Sequence, residues 1–365
     1  MLKNVKLKEL GEIFTGSTPS KKNKEFYNSE DIMFIKPDIL DFDIVNIGVS
    51  NEYISEKARE KARIIPANSL LVSCIGSIGK LGINEKEVAF NQQINAIVPN
   101  NKIKSSRYLA YLLKYNQKKL ESIANAPVVP IINKTQFSEF EVLIHENLNF
   151  QEQITQILDK SKEIIEKRKE QIQFLDKLVK SKFIEMFGDP VKNQKKLAKV
   201  KLSELGEWKT GGTPLRSKSE YYNGNIPWLS SGELNNKYCF KSNEMITESA
   251  IIESAAKIIE VGSLLLGMYD TAALKSTINM IECSCNQAIA YSKLNENLVN
   301  TVYVYYCIQI GKEFYKSQQR GVRQKNLNLS MVKGLEILMP PLEFQNQFAE
   351  FVKQVDKLKF ILHLV

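Results

Sequence analysis

From the middle of the chain onward, apolar residues recur at strict seven-residue intervals: Leu158, Ile165, Ile172, Val179 and Met186. Ile154 and Leu175 occupy the complementary heptad position, although Ser161, Arg168 and Lys182 dilute that row. No Gly or Pro intervenes until Gly188-Asp189-Pro190, which supplies a stop. The spacing predicts a helix over 150–187, ~57 Å long at ~1.5 Å per residue, with a coiled-coil seam. At the end of the sequence Phe344, Phe348, Phe351, Val355, Leu358, Leu362 and Val365 step by alternating four and three residues. Each apolar stripe needs a partner, and the simplest is the other helix, packed antiparallel with the heads at opposite ends of a stalk. The second helix stops short of the counterpart of Phe187. Either part of the first stripe is left for another protein or the chain is a shortened form.

Outside these helices the apolar runs are short. Ser69-Leu70-Leu71-Val72-Ser73-Cys74-Ile75, closed by Gly76, predicts a buried strand entering a tight turn. Ala89-Phe90 and Ile94 to Val98 predict another strand, and Ser105 to Ser122 a serine-capped helix. The same elements return at Ser263 to Gly267, Ala288 to Tyr291 and about Leu298 to Ser317. They return because the sequence repeats. Val5-Lys6-Leu7-x-Glu9-Leu10-Gly11-Glu12-x-x-Thr15-Gly16-x-Thr18-Pro19 reappears from Val200 to Pro214 with 11 identities in 15 positions, too many for chance. Tyr27 then answers Tyr222, Lys80 answers Lys275, Asn91-Gln92 answers Asn286-Gln287, and Gln151-x-Gln153 answers Gln345-x-Gln347. A repeat of this length means two similar domains in tandem. Strands and helices alternate without clean βαβ spacing, so each head reads as α/β or α+β.

At 365 residues and 43% hydrophobic, the chain can bury two ordinary cores plus a connector. No apolar run approaches the ~20 residues that span a bilayer, and no secretory signal follows Met1, which points to a cytoplasmic protein. The five cysteines lack framework spacing and read as reduced thiols. The net charge of +9 is a weak pointer to a polyanion, and the excess is spread over both halves instead of one basic arm.

Motifs for covalent chemistry are missing. His145 and His363 form no pair, and Cys283-x-Cys285 is too small for a zinc site. Gly76-Ser77-Ile78-Gly79-Lys80 has Leu81 where a phosphate loop needs Ser or Thr, so it reads as a hairpin-type turn. Recognition chemistry is better represented. Thr15, Gly16, Ser17 and Thr18, with Thr210, Gly211, Gly212 and Thr213, offer hydroxyls and amides suited to phosphates. Lys21, Lys22 and Arg216 follow them, among the aromatics Tyr27 and Tyr222. A tight turn over core aromatics is the competing reading. Asn91, Gln92, Asn286 and Gln287 carry amides able to pair with adenine N6 and N7, or to satisfy strand ends. Lys80 and Lys275 lie at matched positions. The densest polar segment holds Arg320, Arg323, Gln324, Lys325 and Asn326; its counterpart, ending in Asn133 and Lys134, has lost the arginines. Diverged loops on one scaffold would read different sequences.

In these features the chain resembles the specificity subunits of Type I restriction–modification systems over essentially its whole length. The resemblance rests on Leu-x-Glu-Leu-Gly-Glu…Thr-Gly-x-Thr-Pro opening each half and on Gly321-x-x-Gln324-Lys325-Asn326-Leu327 leading to Met339-Pro340-Pro341-Leu342-Glu343-x-Gln345. Phe183-Ile184-Glu185-Met186-Phe187-Gly188-Asp189-Pro190 belongs to the same pattern. It implies two target-recognition domains, 1–149 and 200–342, a central stalk helix at 150–187, a linker at 188–199, and a shortened stalk helix at 343–365. It implies a non-catalytic reader of bipartite double-stranded DNA that positions two N6-adenine methyltransferase subunits and, in the full complex, restriction subunits. The chain itself would bind no cofactor; its partners would use S-adenosylmethionine, ATP and Mg. Leu158, Ile165, Ile172, Val179, Met186, Phe348, Val355 and Leu362 would form the subunit-contact helices. In the first copy Ile144-His145-Glu146-Asn147-Leu148 replaces the Pro-Pro-Leu-Glu run, a departure that bears on partner docking. The alternatives are an adaptor that assembles proteins through its stalk without binding nucleic acid, and a fused enzyme, which the missing motifs oppose.

Overall fold

The computed structural model describes residues 1–124, 129–269, 273–317 and 326–364. The chain divides into two units, Met1–Ile165 and Glu166–Val365, and each is a mixed α/β body with its own cores.

In the first unit, Leu2–Lys6 pairs antiparallel with Glu141–His145, so the two ends of the head are closed against each other. The main sheet has five strands in the order Gly11–Thr15, Ile94–Pro99, Leu70–Ser73, Leu81–Asn84, Ile44–Ile47, the last pair parallel. A second sheet runs Tyr53–Ile54, Ile32–Ile35, Val88–Phe90, Ile64–Ile65. The expected helix over 105–122 breaks at Asn116 into Ser106–Tyr115 and Gln117–Ser122; Ser105 caps it, accepting from Tyr108 N–H. Its apolar face, Tyr108, Leu109 and Leu113, packs with Leu70, Val72 and Leu81 in the larger core.

The second unit repeats this plan. Its five strands follow the same order: Lys209–Thr210, Ile289–Ser292, Leu264–Gly267, Ser276–Asn279, Tyr238–Cys239. Lys199–Lys201 pairs with Glu336–Leu338 as Leu2–Lys6 pairs with Glu141–His145. Here the second sheet has three strands, around Tyr222–Leu229. The helix expected from Leu298 to Ser317 starts on the Asn300 cap and is interrupted at Gly311, giving Thr301–Ile310 and Lys312–Ser317.

The long helix covers Leu148–Phe187, 40 residues or ~60 Å. The seven-residue seam holds only in the second unit, where Leu175, Val179 and Met186 pack into the core. Leu158 and Ile165 are 38% and 52% exposed, and Ile172 is only half-buried. Burial follows four-residue steps where the helix docks onto each head: Gln151 and Thr155 in the first unit, and Val179, Phe183 and Phe187 in the second. Met186 is partly buried against that second core. The C-terminal helix, Leu342–Leu364, does meet the long helix within the second unit. Phe183 lies 5.4 Å from Phe348, edge to face, and Lys359 pairs with Asp176. Rising numbers on one helix thus meet falling numbers on the other, which is an antiparallel pair. Phe348 and Val355 are buried in the shared core, and Leu362 is half-buried.

Two glutamines fix the helices to their heads. Gln151, fully buried, accepts from Lys104 N–H at 2.8 Å and donates to the carbonyls of Lys102 and His145 at 2.9 and 2.7 Å. Its repeat partner Gln345 accepts from Asn300 N–H at 3.0 Å and donates to Pro340 O at 2.7 Å. One side chain from the stalk thereby satisfies backbone groups leading into a helix of the head and leaving its last strand.

Candidate nucleic-acid interface

The strand order brings the repeated motifs together. Thr15 pairs with Asn95, Ile94 with Ser73, and Val72 with Leu81. The turn after Thr15, the loop before Ile94 and the turn from Cys74 to Lys80 therefore share one end of the five-stranded sheet. The same pairing in the second unit gathers Thr210–Pro214, Asn286–Gln287 and the loop leading to Lys275.

The Thr-Gly turns are built structures. Gly16 N–H donates to Ile94 O at 3.2 Å and Ser17 N–H to Phe90 O at 2.9 Å. A Cβ on Gly16 would lie 2.1 Å from Asn91 O, and one on Gly211 2.2 Å from Cys285 O, so the backbone approach itself requires glycine. Thr15 donates to Asn95 Oδ1 at 2.6 Å, and Thr18, exposed, to Gln92 Oε1 at 2.6 Å. The second copy repeats the last contact between Thr213 and Gln287. Tyr27 and Tyr222 donate to Pro19 O and Pro214 O at 2.7 and 2.6 Å, and so hold the turns from beneath. Half of the paired motif is thus framework, as the tight-turn reading expects, while Thr18, Gln92, Thr213 and Gln287 face outward. Asn91 is 7% exposed, with its amide bonded to Gln93, and Asn286 accepts from Ala288 N–H at 3.1 Å. Both asparagines shape the loop that presents the glutamines.

Gly76 and Gly79 sit at φ of 76° and 82° in the hairpin-type turn expected there, with Lys80 over the Phe42 ring. Lys275 donates to Asn235 at 2.8 Å. Asn133 caps the helix Lys134–Glu139 by accepting from Gln136 N–H, which makes it structural; Lys134 is exposed. Asn328, its counterpart, caps Leu329–Lys333 in the same way. Arg320, Arg323, Gln324 and Lys325 lie outside the described residues. Asn326 is described and engaged within the protein.

Among the basic residues, Lys21 lies 4.0 Å from Glu52, and Lys22 is exposed. Lys61 and Arg63, not singled out from sequence, belong to the same group. Both are exposed, and Ser17 of the Thr-Gly turn donates to Lys61 O at 3.3 Å. Their proximity depends on pairing across 44 residues and leaves no local signal. Arg216 is held differently. Its guanidinium lies 4.7 Å from the Tyr222 ring centroid and 5.1 Å from that of Trp228, and it grips Glu244 through both terminal nitrogens, Nη2 to Oε1 at 3.1 Å. This contact holds the Glu244 carboxyl below its ordinary range. Hydroxyls, outward amides and cations clustered at a sheet end can take up phosphates and base edges.

A family model described as "Type I restriction modification DNA specificity domain" matches residues 2–173 and again 194–363. The MjaIX specificity subunit of a type I restriction enzyme from Methanocaldococcus jannaschii is 24% identical over 95% of this chain and 85% of its own length. The HindI specificity subunit from Haemophilus influenzae is 33% identical over 42% of this chain and 35% of its own. In fold, the chain resembles the S subunit of a type I system from M. genitalium, with a TM-score of 0.60 at 15% identity, covering 100% of this chain and 91% of that one. It resembles equally a chain from a structure of type I complex assembly and conformational transition, with a TM-score of 0.65 at 14% identity, over 99% and 93%.

Proposed function

The chain belongs to the type I restriction–modification DNA specificity family, and from that premise we propose that each of its heads reads one half of a bipartite target. It is a targeting subunit that recognises DNA and works with methyltransferase and restriction subunits, and it is not itself an enzyme. The finer reading is that two methyltransferase subunits act on N6 of adenine, with S-adenosylmethionine, ATP and Mg used by the partners alone. No helix among the described residues is long and apolar enough to cross a membrane; a cytoplasmic site of action fits a partner that is chromosomal DNA.

One observation carries the proposal. The same five-strand order occurs twice, and each copy gathers a Thr-Gly turn, an Asn-Gln loop and cations at one sheet end, while the cations differ: Lys21 and Lys22 in the first copy answer to Arg216 and Ser217 in the second. A shared frame with diverged contacts suits two unequal half-sites. Within the reading, outward Thr18, Gln92, Thr213 and Gln287 contact the duplex beside Lys22, Lys61, Lys80, Lys134 and Arg216, and Arg320, Arg323, Gln324 and Lys325 add to the second head.

The test is a mobility shift on genomic fragments, with and without the methyltransferase subunits, followed by exchange of residues 1–165 for the first unit of another family member. The expected result is a change in one half-site with the other unaltered. Simultaneous change of both half-sites would refute independent reading. Absence of any DNA binding by the assembled complex would favour the adaptor.

A further inference from the structure

Among the described candidate cations, Arg216 is held rigidly while still half open. Its side chain is 57% exposed, yet three contacts fix it. Tyr222 lies beneath it and is tied to the Thr-Gly turn through Pro214 O at 2.6 Å. Trp228, almost fully buried, lies beside it and donates its indole N–H to Gly212 O at 3.1 Å. Glu244 holds the guanidinium and is the cross-strand partner of Trp228. Platform, grip and turn therefore form one body. In the first head, Lys21 stands at the equivalent position and Met33 replaces the tryptophan. There the cation is a point charge 4.0 Å from Glu52, with no fork to aim.

A flexible exposed lysine suits a phosphate, which accepts charge from many directions. A guanidinium locked in one plane suits a base edge, where O6 and N7 of guanine offer two acceptors in fixed geometry. Glu244 occupies one hydrogen on each terminal nitrogen, and five donors are available in all, so Nε and the outer hydrogens remain for a second, side-on pair. We propose that Arg216 reads a guanine in the half-site of the second head, with Tyr222, Trp228 and Glu244 positioning it. This rests on the DNA-reading function proposed above.

The experiment is selection from a random DNA library by the specificity–methyltransferase complex, followed by sequencing of bound DNA at two salt concentrations. Wild type is expected to enrich a bipartite motif with a G·C pair in one half. Arg216→Lys keeps the charge and loses the fork. It is expected to cut discrimination at that single pair about tenfold, which is ~1.4 kcal/mol, with total affinity within about threefold. Glu244→Gln is expected to weaken discrimination at the same pair severalfold, without loss of overall affinity. Lys22→Ala is expected to lower affinity evenly and leave the motif intact. An Arg216→Lys motif identical to wild type would overturn the inference. So would a Glu244→Gln variant that binds more tightly with unchanged discrimination, because Glu244 would then shield the cation instead of aiming it. If wild type enriched no motif at all, the DNA-reading proposal itself would fall.

Discussion

The ion pair between Lys237 and Asp356 ties the second head to its C-terminal helix, and its removal is expected to destabilise that unit measurably. The Lys237 side chain is 12% exposed and that of Asp356 28%. The ammonium donates to Asp356 Oδ1 at 2.8 Å and to Tyr306 Oη at 3.3 Å, and lies 4.9 and 5.3 Å from the Tyr238 and Tyr306 ring centroids. Burial pulls the lysine below its ordinary pKa, while the carboxylate pulls it back up. Asp356→Ala leaves the ammonium buried with one phenol and two rings. Breaking a well-buried pair costs several kcal/mol; with Asp356 partly open to water, about 2–3 kcal/mol is the expected loss. At ~2–4 °C per kcal/mol for a body of this size, the melting transition falls by about 4–12 °C.

Thermal unfolding followed by circular dichroism measures this. The variant also carries a pH signature. With the carboxylate gone, the folded lysine sheds its proton before the unfolded one does. Between those two pKa values the unfolded state binds more protons, so stability rises with pH across that interval, up to the ordinary lysine value of 10.5. Lys237→Met combined with Asp356→Leu is expected to be less destabilised than Asp356→Ala alone, since no charge is stranded. An unchanged melting temperature in Asp356→Ala, or a double variant worse than the sum of the singles, would refute the reasoning.

Gln345→Leu leaves Asn300 N–H and Pro340 O without partners in a buried site, and is expected to cost about 2–4 kcal/mol in chemical denaturation. Gly211→Ala places a methyl 2.2 Å from Cys285 O; the turn must open, and DNA affinity is expected to fall more than stability does. Lys61→Ala is expected to weaken binding evenly across sequences and to reduce the salt slope by ~1 in titrations of affinity against salt. The Glu139 carboxyl, between Lys6 and Lys8, is held down at about 2 from an ordinary 4.5. Its stabilising contribution is therefore complete above the unfolded value and lost as pH falls toward the folded one, and Glu139→Gln is expected to flatten the acid limb of the stability curve over that window.

The repeat was the most legible feature of the sequence, because a shared fold needs the same buried frame twice. Val5, Leu7 and Leu10 are buried in the first head, and Leu202 and Leu205 in the second. The heptad was legible as a helix, and as a seam only along its second half. A seven-residue apolar repeat says that a stripe exists, and cannot say whether a helix or a head covers it; Val179 found a partner, while Leu158 and Ile165 remain open. At the interface, Asn91 and Asn133 looked like recognition residues because turn-forming and base-reading amides have the same composition. Only their partners, Gln93 and the Gln136 N–H, separate the two uses. Trp228 and Glu244 were invisible for a further reason. Their role depends on strand pairing between positions with no motif of their own.

The two heads fasten to their helices with opposite polarity. In the first unit, head residue Asp43 faces Lys162 of the long helix at 3.8 Å, and Lys162 also donates to Ile44 O at 3.2 Å. In the second, head residue Lys237 faces Asp356 of the C-terminal helix. The first contact is half exposed at Asp43 and worth at most ~1 kcal/mol; the second is the buried pair discussed above. The reversal makes each helix segment part of its own head. A first head cut at residue 149 and joined to a foreign helix would lose Lys162, together with Gln151 and the Asp159 carboxylate that Arg107 and Tyr111 share at 2.8 and 2.6 Å. Exchange of recognition units therefore has to carry residues up to about 165. A chimera joined earlier would fail through its docking surface, and its altered DNA binding would say nothing about which half-site the head reads.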